Sequence, residues 1–197
     1  MHPVIVPRLG SVRCVRTLVR SLLVLVFLAR AVSADVGAGL VAQATRYDDR
    51  PNRNIGAAVE LSIDRARWQY LAELAIAGVS FGPDFADGVA GTMYRGGVGV
   101  RHIARRFSVQ DRLDFELGFE ALVALQDIEW SSGERDVRPE LDAGFSWNFV
   151  FFRKIAYRTS IRAFFTPSPS STIACRGSCP KRDEITSGYM IVTGLVW

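Results

Sequence analysis

Between Leu113 and Leu125 the chain alternates with a period of two. Leu113, Phe115, Leu117, Phe119, Ala121, Val123 and Leu125 share one side of an extended strand, and Asp114, Glu116, Gly118, Glu120, Leu122 and Ala124 share the other. Successive side chains of a strand point to opposite faces. A helix would scatter these acids around its surface, so the segment reads as a strand. The same alternation recurs over Val36–Thr45, Asn54–Asp64, Trp68–Phe81, Gly91–Ala104, Glu140–Phe152, Ile155–Thr166 and Thr186–Trp197. No amphipathic segment of period 3.6 stands out among them. The chain is therefore expected to be all-β, with eight strands.

The connections alternate in length. Tyr47–Arg53, Gly82–Ala90, Asp127–Arg138 and Pro167–Ile185 are long and rich in Asp, Gly, Pro, Ser and Arg, whereas Asp64–Arg67, Arg105–Asp111 and Arg153–Lys154 are shorter. An even strand count with long and short connections in turn is the pattern of an antiparallel up-and-down transmembrane barrel. In such a barrel the termini and short turns lie on the periplasmic side and the long loops outside.

A soluble lipocalin-like carrier shows the same alternation turned inside out, so the facing must be decided. The polar face is small, with Gly56, Ala58, Ala75, Ala77, Gly97, Gly99, Gly118, Gly144 and Gly194, and it holds no lysine. An eight-stranded interior is just wide enough for side chains to fill it. The same face carries Glu60, Glu73, Arg95, Arg101, Asp114, Glu116, Glu120, Glu140, Asp142, Arg158 and Arg162. The basic segments 91–104 and 155–166 flank the acidic segments 113–125 and 140–152, so each basic strand adjoins an acidic one, as an internal network of neighbours requires, since buried charges must be paired. Facing them outward in a bilayer would cost roughly 2–4 kcal/mol for each arginine at the midplane. The charged face is thus expected inside and the apolar face, with Trp68, Tyr70, Tyr94, Phe151 and Tyr157 near strand ends, outside.

The N-terminal residues follow a different rule. Arg8, Arg13, Arg16 and Arg20 precede the apolar run Ser21–Ala29, and small residues follow at Ala31-Val-Ser-Ala34. This is the order of a secretory signal peptide, and the run is too short to span a bilayer. Cleavage after Ala34 is expected, with Asp35–Trp197 as the single folded domain. Five of the 24 basic residues precede Asp35 and none of the 20 acidic ones does, so the remainder carries one more acid than base. A nucleic-acid partner is therefore not expected. Cys175 and Cys179 remain in an oxidising context and are expected to form a disulfide; no further Cys or His lies nearby to complete a metal site.

The last nine residues place Tyr189, Ile191, Thr193, Leu195 and Trp197 on one face of the final strand. This ending resembles the C-terminal signature of bacterial outer-membrane barrels, in which the closing strand ends in an aromatic residue. With the strand count and loop alternation, the chain resembles the small eight-stranded outer-membrane barrels, the OmpA transmembrane domain and the OmpX/Ail-type proteins. The resemblance rests on architecture and carries over no activity. It implies contact with outer-membrane lipid and lipopolysaccharide, insertion by the barrel assembly machinery with Tyr189, Ile191, Leu195 and Trp197 as the assembly signal, and a monomer.

Some barrels of this size are lipid A-modifying enzymes, deacylases and acyltransferases, and the deacylases carry a His-x-Ser-Asn motif. Here His102 is the one histidine after Asp35, and Ile-Ala-Arg follows it. A general base must lie within reach of its nucleophile, and Ser108 falls in the following turn. The carboxylate pairs Asp114/Glu116 and Glu140/Asp142 read as parts of a salt-bridged plug. No Gly-rich phosphate loop, metal cluster or nucleotide motif is present, and no cofactor is expected. The expected role is structural or interactive, with lipid A modification and soluble ligand carriage as the alternatives. The basic stretch at Lys181 and Arg182, behind the cysteine pair, is the expected outward-facing contact element.

Overall fold

The computed structural model describes residues 34–47, 50–81, 90–110, 112–131, 133–152, 155–167 and 185–197. Residues 1–33 of the signal-peptide segment, Cys175, Cys179, Lys181 and Arg182 lie outside the described residues. Eight strands follow in chain order: β1 Asp35–Tyr47, β2 Arg50–Arg65, β3 Trp68–Phe81, β4 Ala90–Gln110, β5 Leu113–Trp130, β6 Arg135–Phe151, β7 Ile155–Pro167 and β8 Ile185–Val196. Each pairs antiparallel with the next, and β1 pairs with β8, so the sheet is a closed barrel without a free edge strand.

Several strands run further than their composition suggests. Arg50–Arg53 belongs to β2, Asp127–Trp130 to β5 and Arg135–Arg138 to β6, so two of the expected long loops are largely hairpin. The β5–β6 ladder continues to Glu129 and Arg135, with Gly133 at φ +89° in the tight connection beyond. Arg105–Gln110, expected as a turn, extends β4. The reason is common to all three: ladder bonds join backbone groups, so polar side chains that mark a loop in sequence do not prevent pairing. The β5–β6 hairpin also outruns β7, because β6 pairs with β7 only from Leu141, opposite Phe165.

The two faces are sharply different. Leu40, Ile55, Val98, Phe119, Val123, Leu141 and Ile191 point outward and are exposed, Phe119 to 64%. Glu73, Arg95, Arg101, Glu140, Asp142 and Arg162 point inward and are buried, each at 2% exposure or less. A soluble carrier would reverse this. Such a continuous apolar exterior belongs in lipid, where the closed ladder satisfies the backbone.

Closure depends on small residues. At the β1–β8 seam Gly39 lies opposite Gly194. A Cβ built on Gly39 would sit 2.1 Å from the Thr193 carbonyl oxygen, and one on Gly194 would sit 2.2 Å from the Ala38 carbonyl oxygen. The last pair is made by Val36 and Trp197, whose backbone N–H groups each donate to the other's carbonyl at 2.9 Å.

Candidate functional site: the charged lumen and the terminal rim

The inward side chains meet in two tiers. In the tier nearer the loop rim, Arg95 of β4 is paired with Glu73 of β3 and with Glu140 and Asp142 of β6. Gln126 donates to Glu140, and Arg138 donates to Gln126 at 3.1 Å. In the tier nearer the termini, Arg101 of β4 donates from Nε to Glu120 at 2.8 Å and from Nη2 to Glu60 at 3.0 Å. Its Nη1 reaches Gln69 at 3.0 Å, and Arg158 of β7 also pairs with Glu60. Arg162 of β7 joins the tiers, bonding Glu73 through Nη1 at 2.8 Å and Glu120 through Nε.

Arg101–Glu120 and Arg95–Glu73 join adjacent strands, but most of the other partners are not those that strand adjacency suggests. Arg95 reaches from β4 to β6, Arg101 from β4 to β2, Arg158 from β7 to β2 and Arg162 from β7 to β3. The interior of eight strands is narrow, and an arginine stem is long enough to cross it. The glycines and alanines on the other inner positions leave the room. The expected ladder of acid–base neighbours is thus largely a set of cross-lumen ties.

Nearer the terminal mouth the network thins. Glu116 accepts from Arg106 Nε at 2.7 Å and from Asn148 at 3.0 Å, and Asn148 accepts from Arg158 at 2.8 Å. Asp114 faces inward but joins no ion pair of the network; it lines an open vestibule of about 550 Å³ with Asp35, Asp64, Arg106 and Glu116. The sequence reading missed Gln69, Arg106, Gln126, Arg138 and Asn148 as members. Their phase is the signal: each lies an even number of residues from a network charge on its own strand, apart from Arg106, which a bulge shifts.

Arg95, Arg101 and Arg162 hold carboxylates on several walls at once, so the lumen is a cross-tied plug in which Arg162 Nη2 and Asp142 Oδ1 stay buried without a hydrogen-bond partner. Among the described residues no group of three or more His, Cys, Asp or Glu side chains is placed to hold a metal ion. His102 lies on the outer face, its ring 4.7 Å from that of Trp68. Ser108 pairs with the inward Asp114 and so lies on the opposite face of β4 from His102. The two do not form a base–nucleophile pair.

No family model matches this chain, and no curated protein does. Among solved structures it is similar to Neisserial surface protein A (NspA), with a TM-score of 0.54 at 8% identity, over 83% of this chain and 94% of that one. The fold is that of the small eight-stranded outer-membrane barrels. Ail, the attachment invasion locus protein of Yersinia pestis, solved in complex with the heparin analogue sucrose octasulfate, gives a TM-score of 0.41 at 13% identity, over 83% of this chain and 97% of that one. At these identities the likeness is one of architecture.

Proposed function

We propose that Asp35–Trp197 is a transmembrane barrel of the bacterial outer membrane with a structural or interactive role, serving envelope integrity or surface contact through the loops at the rim away from the termini. The observation that carries this reading is the combination of a lumen tied across by buried arginines with a continuous apolar exterior. Together they favour a rigid membrane-embedded post over a channel or a soluble carrier. Residues 1–34 serve as the cleaved export segment, and Cys175 and Cys179 clip the last loop beside Lys181 and Arg182.

Cell fractionation with unheated and heated gel samples tests this reading. Recovery in the outer-membrane fraction, with migration that shifts on heating, is the expected result; recovery in the periplasmic fraction would overturn it. Lipid A extracted from cells with and without the gene is expected to show the same acyl pattern.

A further inference from the structure

The terminal rim carries a second feature that the lumen does not explain. Arg65 lies opposite Trp68 in the β2–β3 ladder, and Trp68 lies opposite His102 in the β3–β4 ladder. Residues directly opposite in an antiparallel pair share a face, so all three point outward. Strict alternation along β4 from the inward Arg101 would turn residue 105 inward. Instead the register shifts between Ile103 and Arg105, and Arg105 comes to lie opposite the outward Leu117. The bulge therefore re-aims Arg105 onto the outer surface, beside the Trp68–His102 pair. Arg106 is turned toward Glu116 by the same shift and pairs with it.

The turn adds a third cation. Arg67 sits between β2 and β3, and its carbonyl accepts from the Ile103 N–H at 2.8 Å, which ties the turn to the bulge. Between them lies an open recess of about 670 Å³ lined by Ala66, Arg67, Ile103, Ala104, Arg105 and Arg106. Arg65, Arg67 and Arg105 are all exposed, and no described acid is bonded to any of them. Among the described residues, every carboxylate near this rim, from Asp35, Asp64, Asp114 or Glu116, faces the vestibule inside the barrel.

We infer that the β2–β3 turn and the β4 bulge form a headgroup site for an anionic phospholipid in the leaflet that meets the terminal rim. Three guanidiniums supply bidentate donors to a phosphate. Trp68 and His102 lie at the level of the interface, where aromatic rings settle against the glycerol region. The apolar wall below, with Tyr70 and Val98 exposed, accommodates the acyl chains. The lipid source is favoured over free phosphate because Arg65 and Arg105 lie on the outer, membrane-facing side of the wall. The inference rests on the barrel's standing in a membrane, as proposed above.

The full chain folded in detergent micelles is titrated with phosphatidylglycerol or phosphatidylcholine, and bound lipid is counted by native mass spectrometry. Heat-modifiable migration of the same samples reports the barrel separately, so a failure to form a membrane barrel is read there and not in the lipid counts. Wild type is expected to retain phosphatidylglycerol preferentially. Each arginine near an anionic surface is expected to contribute about five-fold in affinity, so the Arg65→Gln/Arg67→Gln/Arg105→Gln variant should lose the preference. The corresponding triple lysine variant keeps the charge but loses the bidentate fork, and should retain part of the preference. Equal retention of the two lipids by wild type, or an undiminished preference in the folded glutamine variant, would overturn the inference.

Discussion

Arg162 of β7 donates from Nη1 to Oε2 of Glu73 on β3 at 2.8 Å, joining strands that stand four apart in a ring of eight. The two residues are 89 apart in sequence and face each other across the barrel's full width. Both side chains are fully buried. Glu73 also holds Arg95, so its loss would leave two guanidiniums each one partner short.

Removing one partner from a buried pair costs about 3–5 kcal/mol, because the other charge stays behind without compensation. Glu73→Ala and Arg162→Ala are each expected to lower stability by that amount in urea unfolding of the micelle-folded protein. The double variant should cost clearly less than the sum, since the two share one interaction. Additive losses would show that the tie contributes little.

The same ties are expected to limit permeability. Wild type in planar bilayers is expected to show little or no conductance. Arg95→Ala combined with Arg162→Ala removes the side chains that bridge the middle of the lumen and should raise single-channel conductance measurably. An unchanged trace from folded double variant would mean that the remaining carboxylates and glutamines still close the path.

The facing of the strands was legible from sequence because period two is a property of the backbone itself. Phe119 and Glu120 differ by one position and therefore by one face. The partners of Arg95 and Arg162 were not legible, because a contact across the lumen depends on the barrel's width and on which inner positions are glycine. The re-aimed Arg105 was also hidden. Ile103-Ala104-Arg105 breaks the alternation in letters, and only the register with Gly118 and Leu117 shows an inserted residue. The assignment of Asp127–Arg138 to a loop failed for a different reason: charged side chains above a membrane tolerate either a loop or a hairpin.

The β1–β8 seam offers a paired test. Gly194→Ala would push a Cβ against the Ala38 carbonyl oxygen and the Gly39 Cα at 2.5 Å, both backbone atoms that yield only if the strands part. A destabilisation of roughly 1–3 kcal/mol is expected, as for other overpacked sites. Gly78→Ala meets nothing closer than 4.0 Å. It should be neutral or stabilising by up to about 1 kcal/mol through the unfolded chain. Urea midpoints for the two variants check both signs together.

Trp197 ends the closing strand, faces outward and is 55% exposed. An arginine near a membrane interface costs about 0–1 kcal/mol, against roughly 2–4 at the midplane. Trp197→Arg is therefore expected to change urea stability by less than Val123→Arg, which lies on the outer face between Val98 and Leu141. In cells the order should reverse if the terminal aromatic acts in assembly, with Trp197→Arg giving less folded barrel on unheated gels. The same order in both measurements would limit Trp197 to a packing role.

Among the described residues the β5–β6 hairpin rises past β7, which leaves Arg135–Glu140 of β6 without a β7 ladder. A strand edge of this kind is a template on which another chain can add by backbone pairing. Three local features oppose it. Pro139 has no N–H to offer. Its carbonyl is taken by Thr166 Oγ1 at 2.9 Å, and Arg138 Nη1 covers the Pro167 carbonyl at 3.3 Å. The raised wall is thereby guarded against strand addition and sticky self-association between neighbouring barrels, and a visiting macromolecule would have to recognise it by its side chains.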